Sequence, residues 1–184
     1  AFGDLGTLLI LIVILVYIVM ATQFESLKFP FIIMFTIPFA FTGVFLALWM
    51  TSTPLSLIAL IGAIMLVGIV TKNGIVMVDY MNLLIERGSG VFDAVIAGGK
   101  SRLRPVLMTS FTTILGMLPL AIGTGAGSET WQPMGIAVIG GLTFSTILTL
   151  FIVPVLYSIL VNRSQRKERE KLARLSAEHQ ASKH

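Results

Sequence analysis

The fold class this sequence predicts is all-α, a polytopic bundle of five membrane-spanning helices, and three observations carry the prediction. Hydrophobic residues make up 55% of the chain and charged residues 12%, about half the charged share of an ordinary soluble protein. The mean hydropathy of +0.93 excludes a water-soluble enzyme core. The 13 basic and 9 acidic residues are also unevenly spread, with ten of them between Asn162 and His184. What remains is nearly uncharged and divides into five apolar runs, each long enough as a helix to cross a hydrocarbon core of about 30 Å.

The first run is Leu5 to Thr22, without a charge. Phe29 to Met50 is the second; Pro30 suits its first turn, where a missing N–H has no partner to lose, and Pro38 predicts a kink. The third, Leu55 to about Tyr80, follows the turn-forming Thr51-Ser52-Thr53-Pro54 and carries a lysine, Lys72, inside its apolar stretch. Pro105 to about Ile122 is the fourth, and Trp131 to Leu160 includes the fifth. Between them Gly123-Thr124-Gly125-Ala126-Gly127-Ser128-Glu129 reads as a flexible loop. Pro119 and Pro154 lie near the ends of their spans, as hinges or as plain helix punctuation.

Two segments outside the spans read as helical. Val91 to Gly99 sets Val91, Val95 and Phe92, Ile96 at helical spacing with Asp93 opposite, a short interfacial helix. Residues 163–184 form a basic tail beyond the bundle of residues 1–162. In it Arg166, Glu170 and Arg174 are spaced to support a solvated helix, although a frayed terminus is the plainer reading. Contact with anionic headgroups is its further option.

Loop charges set the orientation. The Gln23 to Lys28 link holds one basic residue, the Glu86 to Arg104 link holds Arg87, Lys100, Arg102 and Arg104, and the tail holds seven, while the opposite loops hold none. That asymmetry predicts a cytoplasmic tail and an outward Ala1. The basic residues flank apolar runs rather than interleaving with aromatics, so the net charge of +4 is topological: the partner is the lipid bilayer, with no nucleic acid. The chain opens Ala1-Phe2-Gly3-Asp4 with no visible signal peptide, so Ala1 is expected to continue a longer protein. With no cysteine, disulfides, thiolate metal sites and cysteine nucleophiles are excluded.

Lys72 is the residue that most needs an explanation. Counted from Leu55 it lies about 26 Å along the third span, close enough to the inner interface for its stem to snorkel. Its neighbours argue otherwise: Asn73 adds a second polar group, and Gly68 and Gly74 clear space for another helix. Asp79 lies about 10 Å further along the same helix, too far for a direct pair. A lone ammonium costs about 2.5–3.5 kcal/mol in the bilayer centre, so a carboxylate from another helix is the expected compensation. Thr109 and Ser110 add hydroxyls early in the fourth span, where bonding to their own backbone is the default. Arg102 and Arg104 read as cytoplasmic anchors.

These motifs together resemble the resistance-nodulation-division transporters. Gly68-Ile69-Val70-Thr71-Lys72-Asn73-Gly74-Ile75, then Arg102-Leu103-Arg104-Pro105-Val106-Leu107-Met108-Thr109-Ser110, then Leu118-Pro119-Leu120-Ala121 with Gly125-Ala126-Gly127-Ser128 are similar to the hydrophobe/amphiphile multidrug efflux branch, across roughly Phe2 to Leu160. The resemblance implies the last five of twelve spans, eight to twelve, following a periplasmic domain. It implies that Lys72 faces two carboxylates of an absent upstream span, with Asn73 beside it, Thr109 as the relay threonine and Arg102 on the cytoplasmic proton route. It further implies a Gram-negative inner-membrane homotrimer, a periplasmic adaptor and an outer-membrane channel, with protons as the coupling ion and no cofactor.

Other readings remain open on residues alone. A relative with the same relay could move lipids or drive protein export, and a scaffold with a snorkelling Lys72 would tolerate Lys72→Met. An intramembrane hydrolase is the weakest, since His179 and His184 both lie in the tail and no nucleophile motif stands out. No GxxxxGK[ST] loop is present, so this chain does not use ATP as its energy source.

Overall fold

The structure, a computed structural model, describes residues 2–183; the expected outward placement of Ala1 falls on a residue outside them. Six helices follow in order: α1 Phe2–Phe24, α2 Lys28–Met34, α3 Thr36–Met50, α4 Leu57–Glu86, α5 Val91–Ile122 and α6 Ser128–Ala181. Among the described residues there is no strand. With α2 and α3 together making one crossing, five segments are long and apolar enough to span a membrane. The molecule is a multi-pass membrane protein built as an all-α bundle.

The kink expected from Pro38 appears one turn earlier, between α2 and α3. Pro38 has no N–H for the Met34 carbonyl, and its ring presses on that same group. The helix is therefore interrupted at Phe35, whose own N–H still reaches the Phe31 carbonyl at 3.3 Å. Pro105, Pro119, Pro133 and Pro154 all lie inside unbroken helices.

Two expectations are corrected by continuity. The interfacial helix at 91–99 and the fourth span at 105–122 are one helix, α5. Pro105 does not separate them, because the carbonyl it leaves free belongs to Ser101, an exposed residue where water can satisfy it. The tail is not frayed: α6 passes through residue 162 and runs 54 residues to Ala181. No glycine or proline follows Pro154 within it, and Arg166 pairs with Glu170 at 3.0 Å one turn on.

Helix α6 is the axis of the bundle, packing against α3, α4 and α5, whereas α1 touches only α2 and α4. Its closest approach is to α3, at the small residues Gly43, Ala47, Gly140 and Gly141. A Cβ on Gly140 would lie 2.1 Å from the Ala47 Cβ and 3.0 Å from the Gly43 carbonyl oxygen. Van der Waals contact over such backbone-to-backbone surfaces is the main attraction left between helices once lipid replaces water. The α5–α6 turn is equally tight. Gly123 ends α5 in the left-handed region at φ +77, and Gln132 donates from Nε2 to the Ala121 carbonyl at 3.0 Å, closing one of the helix's orphan acceptors.

Toward the expected cytoplasmic end, Tyr157 is completely buried. Its ring stacks on Phe29 with centroids 5.6 Å apart, and its hydroxyl donates to Oδ1 of Asn82, joining α2, α4 and α6. Tyr157→Phe keeps the stacking but removes the donor to the half-buried Asn82 amide oxygen. The expected loss is about 0.5–1.5 kcal/mol, measurable as a lower thermal midpoint in detergent; an unchanged midpoint would mean Asn82 finds water instead.

Candidate functional site

Helix α4 carries the site, and its start is well defined: Ser56 caps it, accepting from the Ala59 N–H at 3.2 Å. Lys72 comes fifteen residues after Leu57 and fourteen before Glu86, so it stands at the middle of a helix about 45 Å long. Helix α4 runs on past Tyr80 to Glu86, so Lys72 is fourteen residues from that end of the helix rather than the eight that the expected span implied.

Neighbouring residues on a helix are rotated by about 100°, and α4 uses that rotation to separate two environments. Asn73 and Gly74 face inward and are buried; a Cβ on Gly74 would lie 2.9 Å from Cγ2 of Ile33, so α2 occupies the space that glycine clears. Lys72 instead is exposed and lines a groove of about 380 Å³ with Leu15, Val16, Val19 and Met20 of α1 and Gly68, Thr71, Ile75 and Val76 of α4. Nothing lies within 4 Å of a Cβ built on Gly68. Of the two glycines expected to admit a helix, one is already filled and the other is open.

The groove is apolar apart from Lys72 and Thr71, and among the described residues no carboxylate pairs with Lys72. An ammonium on such a wall is a strong attractor for any carboxylate that comes to face it, because low polarity strengthens their attraction.

The other expected residues are placed along α4 and α5 rather than around Lys72. Thr109 is exposed and donates to the Pro105 carbonyl at 2.9 Å, the backbone bond that is the default for a helical threonine. Its neighbour Ser110 is buried and bonds across to Thr146 of α6 at 2.9 Å. No periodicity in the sequence marks that pair. Arg102 sets its guanidinium carbon 4.9 Å from the centre of the Tyr80 ring on α4, a cation–π contact, while its Nε is buried without a hydrogen-bond partner. Tyr80 lies about 12 Å along α4 from Lys72. Among the described residues no hydrogen bond or ion pair joins any two of Lys72, Asn73, Thr109 and Arg102. What the fold does is set the two helices that carry them against each other.

Comparison with known proteins agrees with this architecture. The AcrB/AcrD/AcrF family profile matches residues 1–161. Multidrug resistance protein MdtC of Erwinia tasmaniensis is 43% identical over 155 residues, covering 84% of this chain and 15% of that protein. Cobalt-zinc-cadmium resistance protein CzcA of Cupriavidus metallidurans is 41% identical over the same length, with the same coverage. MdtC of Erwinia amylovora is 44% identical over 155 residues. The chain thus spans 15% of the length of these relatives, and it is as similar to one named for metal cations as to those named for drugs. A five-span helical bundle with a mid-helix lysine and this match over nearly its whole length belongs to the AcrB/AcrD/AcrF family, within the resistance-nodulation-division transporters.

Proposed function

We propose that this chain is the C-terminal membrane part of a proton-driven efflux transporter, in which Lys72 is the cationic partner of carboxylates carried by a helix of the transporter's upstream half. The observation that carries the reading is the groove: a mid-helix ammonium on an apolar wall, without an acidic partner among the described residues, beside an open glycine. A carboxylate entering there is held ionised by Lys72; when it takes up a proton the attraction ends and the helices are free to shift. Asn73, Thr109 and Arg102 complete the relay on the cytoplasmic side, with protons as the coupling ion and no cofactor.

In this reading the protein sits in the Gram-negative inner membrane with its N-terminal end periplasmic and α6 extending into the cytoplasm. It works as a homotrimer with a periplasmic adaptor and an outer-membrane channel. Drugs are the first cargo reading; the similarity to CzcA favours cation export as the second.

Reconstituted full-length transporter tests both. Dye efflux from proteoliposomes is expected to follow an imposed pH gradient and to stop when a protonophore collapses it. Efflux that persists without the gradient, or that requires ATP, overturns the reading. Gradient-driven movement of zinc or cobalt ions in place of dye selects the second cargo.

A further inference from the structure

A threonine hydroxyl inside a helix has a ready acceptor, the carbonyl one turn back. Thr7, Thr22, Thr42, Thr109, Thr113 and Thr143 all use it, at 2.7–3.0 Å. Thr71 does not. The residue is 4% exposed, and its Oγ1 is buried with no hydrogen-bond partner. A buried hydroxyl without a partner is a net cost to stability, and valine would fill the same shape without it. Val67, Val70, Val76 and Val78 stand close by in α4, so this helix accommodates valine readily. The hydroxyl therefore calls for a reason beyond packing.

Its position supplies one. Thr71 immediately precedes Lys72 and lines the same groove, where the two are the only polar side chains. Gly68, one turn back, leaves the adjoining surface clear. Staggered rotation about χ1 exchanges the threonine methyl and hydroxyl while the helix stays fixed, turning Oγ1 to whatever enters.

We propose that Thr71 is a positioning residue of the Lys72 site, its hydroxyl donating a hydrogen bond to the carboxylate that enters the groove to meet Lys72. The proposal rests on the reading of Lys72 as half of a proton-coupling pair. Thr71 keeps its own proton throughout; the proton that cycles is bound and released by the carboxylate. A hydrogen bond to the ionised form favours that form, so Thr71 and Lys72 act in the same direction and set the pH at which the carboxylate loads. Among the described residues no carboxylate or second cation lines the groove. The groove residues of α1 are apolar. Lys28 of α2 donates to Ser164, Arg102 of α5 is stacked on Tyr80, Tyr157 of α6 donates to Asn82, and Asp79 lies about 10 Å along α4 from Lys72.

The test is the pH profile of gradient-driven dye efflux by the full-length transporter, for wild type, Thr71→Val and Thr71→Ser. Thr71→Val is expected to assemble with wild-type stability or better and to move the midpoint of the profile upward by about one pH unit, because the carboxylate then holds its proton more tightly. Thr71→Ser is expected to restore the wild-type midpoint. Should Thr71→Val fail to assemble, Thr71→Ala removes the same hydroxyl and carries the same expectation. An unmoved midpoint, or a uniform change of rate without a shift, overturns the proposal. Lys72→Met run in parallel separates the two readings: inactivity there with an unmoved Thr71→Val profile overturns Thr71 alone, and full activity overturns both.

Discussion

Replacing Lys72 by methionine is expected to reduce pH-gradient-driven efflux by the full-length transporter to the background of protein-free liposomes, with assembly intact. Methionine fills the lysine stem's volume and packs adaptably. Lys72 also lies on the exposed face of α4, outside both buried core clusters, so the bundle loses no packing. What is lost is the charge. A buried ion pair stripped of one partner costs about 3–5 kcal/mol, and the stranded carboxylates avoid that cost by staying protonated. A carboxylate that never ionises in the working pH range carries no protons. Efflux unchanged in Lys72→Met, at matched protein levels, would make Lys72 an interfacial anchor and remove the mechanism while leaving the fold untouched.

The second large effect is structural. Gly140→Leu is expected to separate α3 from α6, because even the first added carbon would sit 2.1 Å from the Ala47 Cβ with the Gly43 carbonyl at 3.0 Å. Backbone on one side and a fixed methyl on the other leave no flexible side chain to yield. Overpacking of this kind costs about 1–3 kcal/mol and occasionally more, and α6 is the helix on which α3, α4 and α5 all depend. The expected result is a lowered thermal midpoint in detergent and a loss of assembled protein. Specificity comes from a swap: Gly140→Ala alone destabilises, and Ala47→Gly added to it restores the midpoint by removing the atom that is struck. A swap that fails to rescue would place the closest approach elsewhere on α6.

Much of the fold was legible because hydropathy sums along the chain. Five apolar runs, a glycine loop at 123–127 and Lys72 as the odd residue can all be read without a structure. Continuity was harder. Pro105 looks like a helix start because proline fits a first turn, yet α5 begins at Val91, since the freed carbonyl belongs to an exposed residue. The tail reads as frayed from its charge, but a helix already formed in the membrane needs no new nucleus to extend through residues with no breaker.

The site was legible only in part. The sequence singled out Lys72, and the family resemblance added Asn73, Thr109 and Arg102. Neither showed that Asn73 is buried while Lys72 faces α1, that Arg102 stacks on Tyr80, that Ser110 bonds Thr146, or that Thr71, next to Lys72, buries its hydroxyl without a hydrogen-bond partner.

By itself, then, the sequence determined that this is a membrane bundle, how many times it crosses, and which residue is out of place in it. Only the tertiary structure decided which way each helix turns, and the reason is the solvent. In water a polar face identifies the outside of a helix and an apolar stripe its inside. In lipid both faces are apolar, so periodicity carries little rotational information. The rotation is set instead by close contacts such as Gly140 against Ala47 and Gly74 against Ile33, and those contacts leave Lys72 facing the groove.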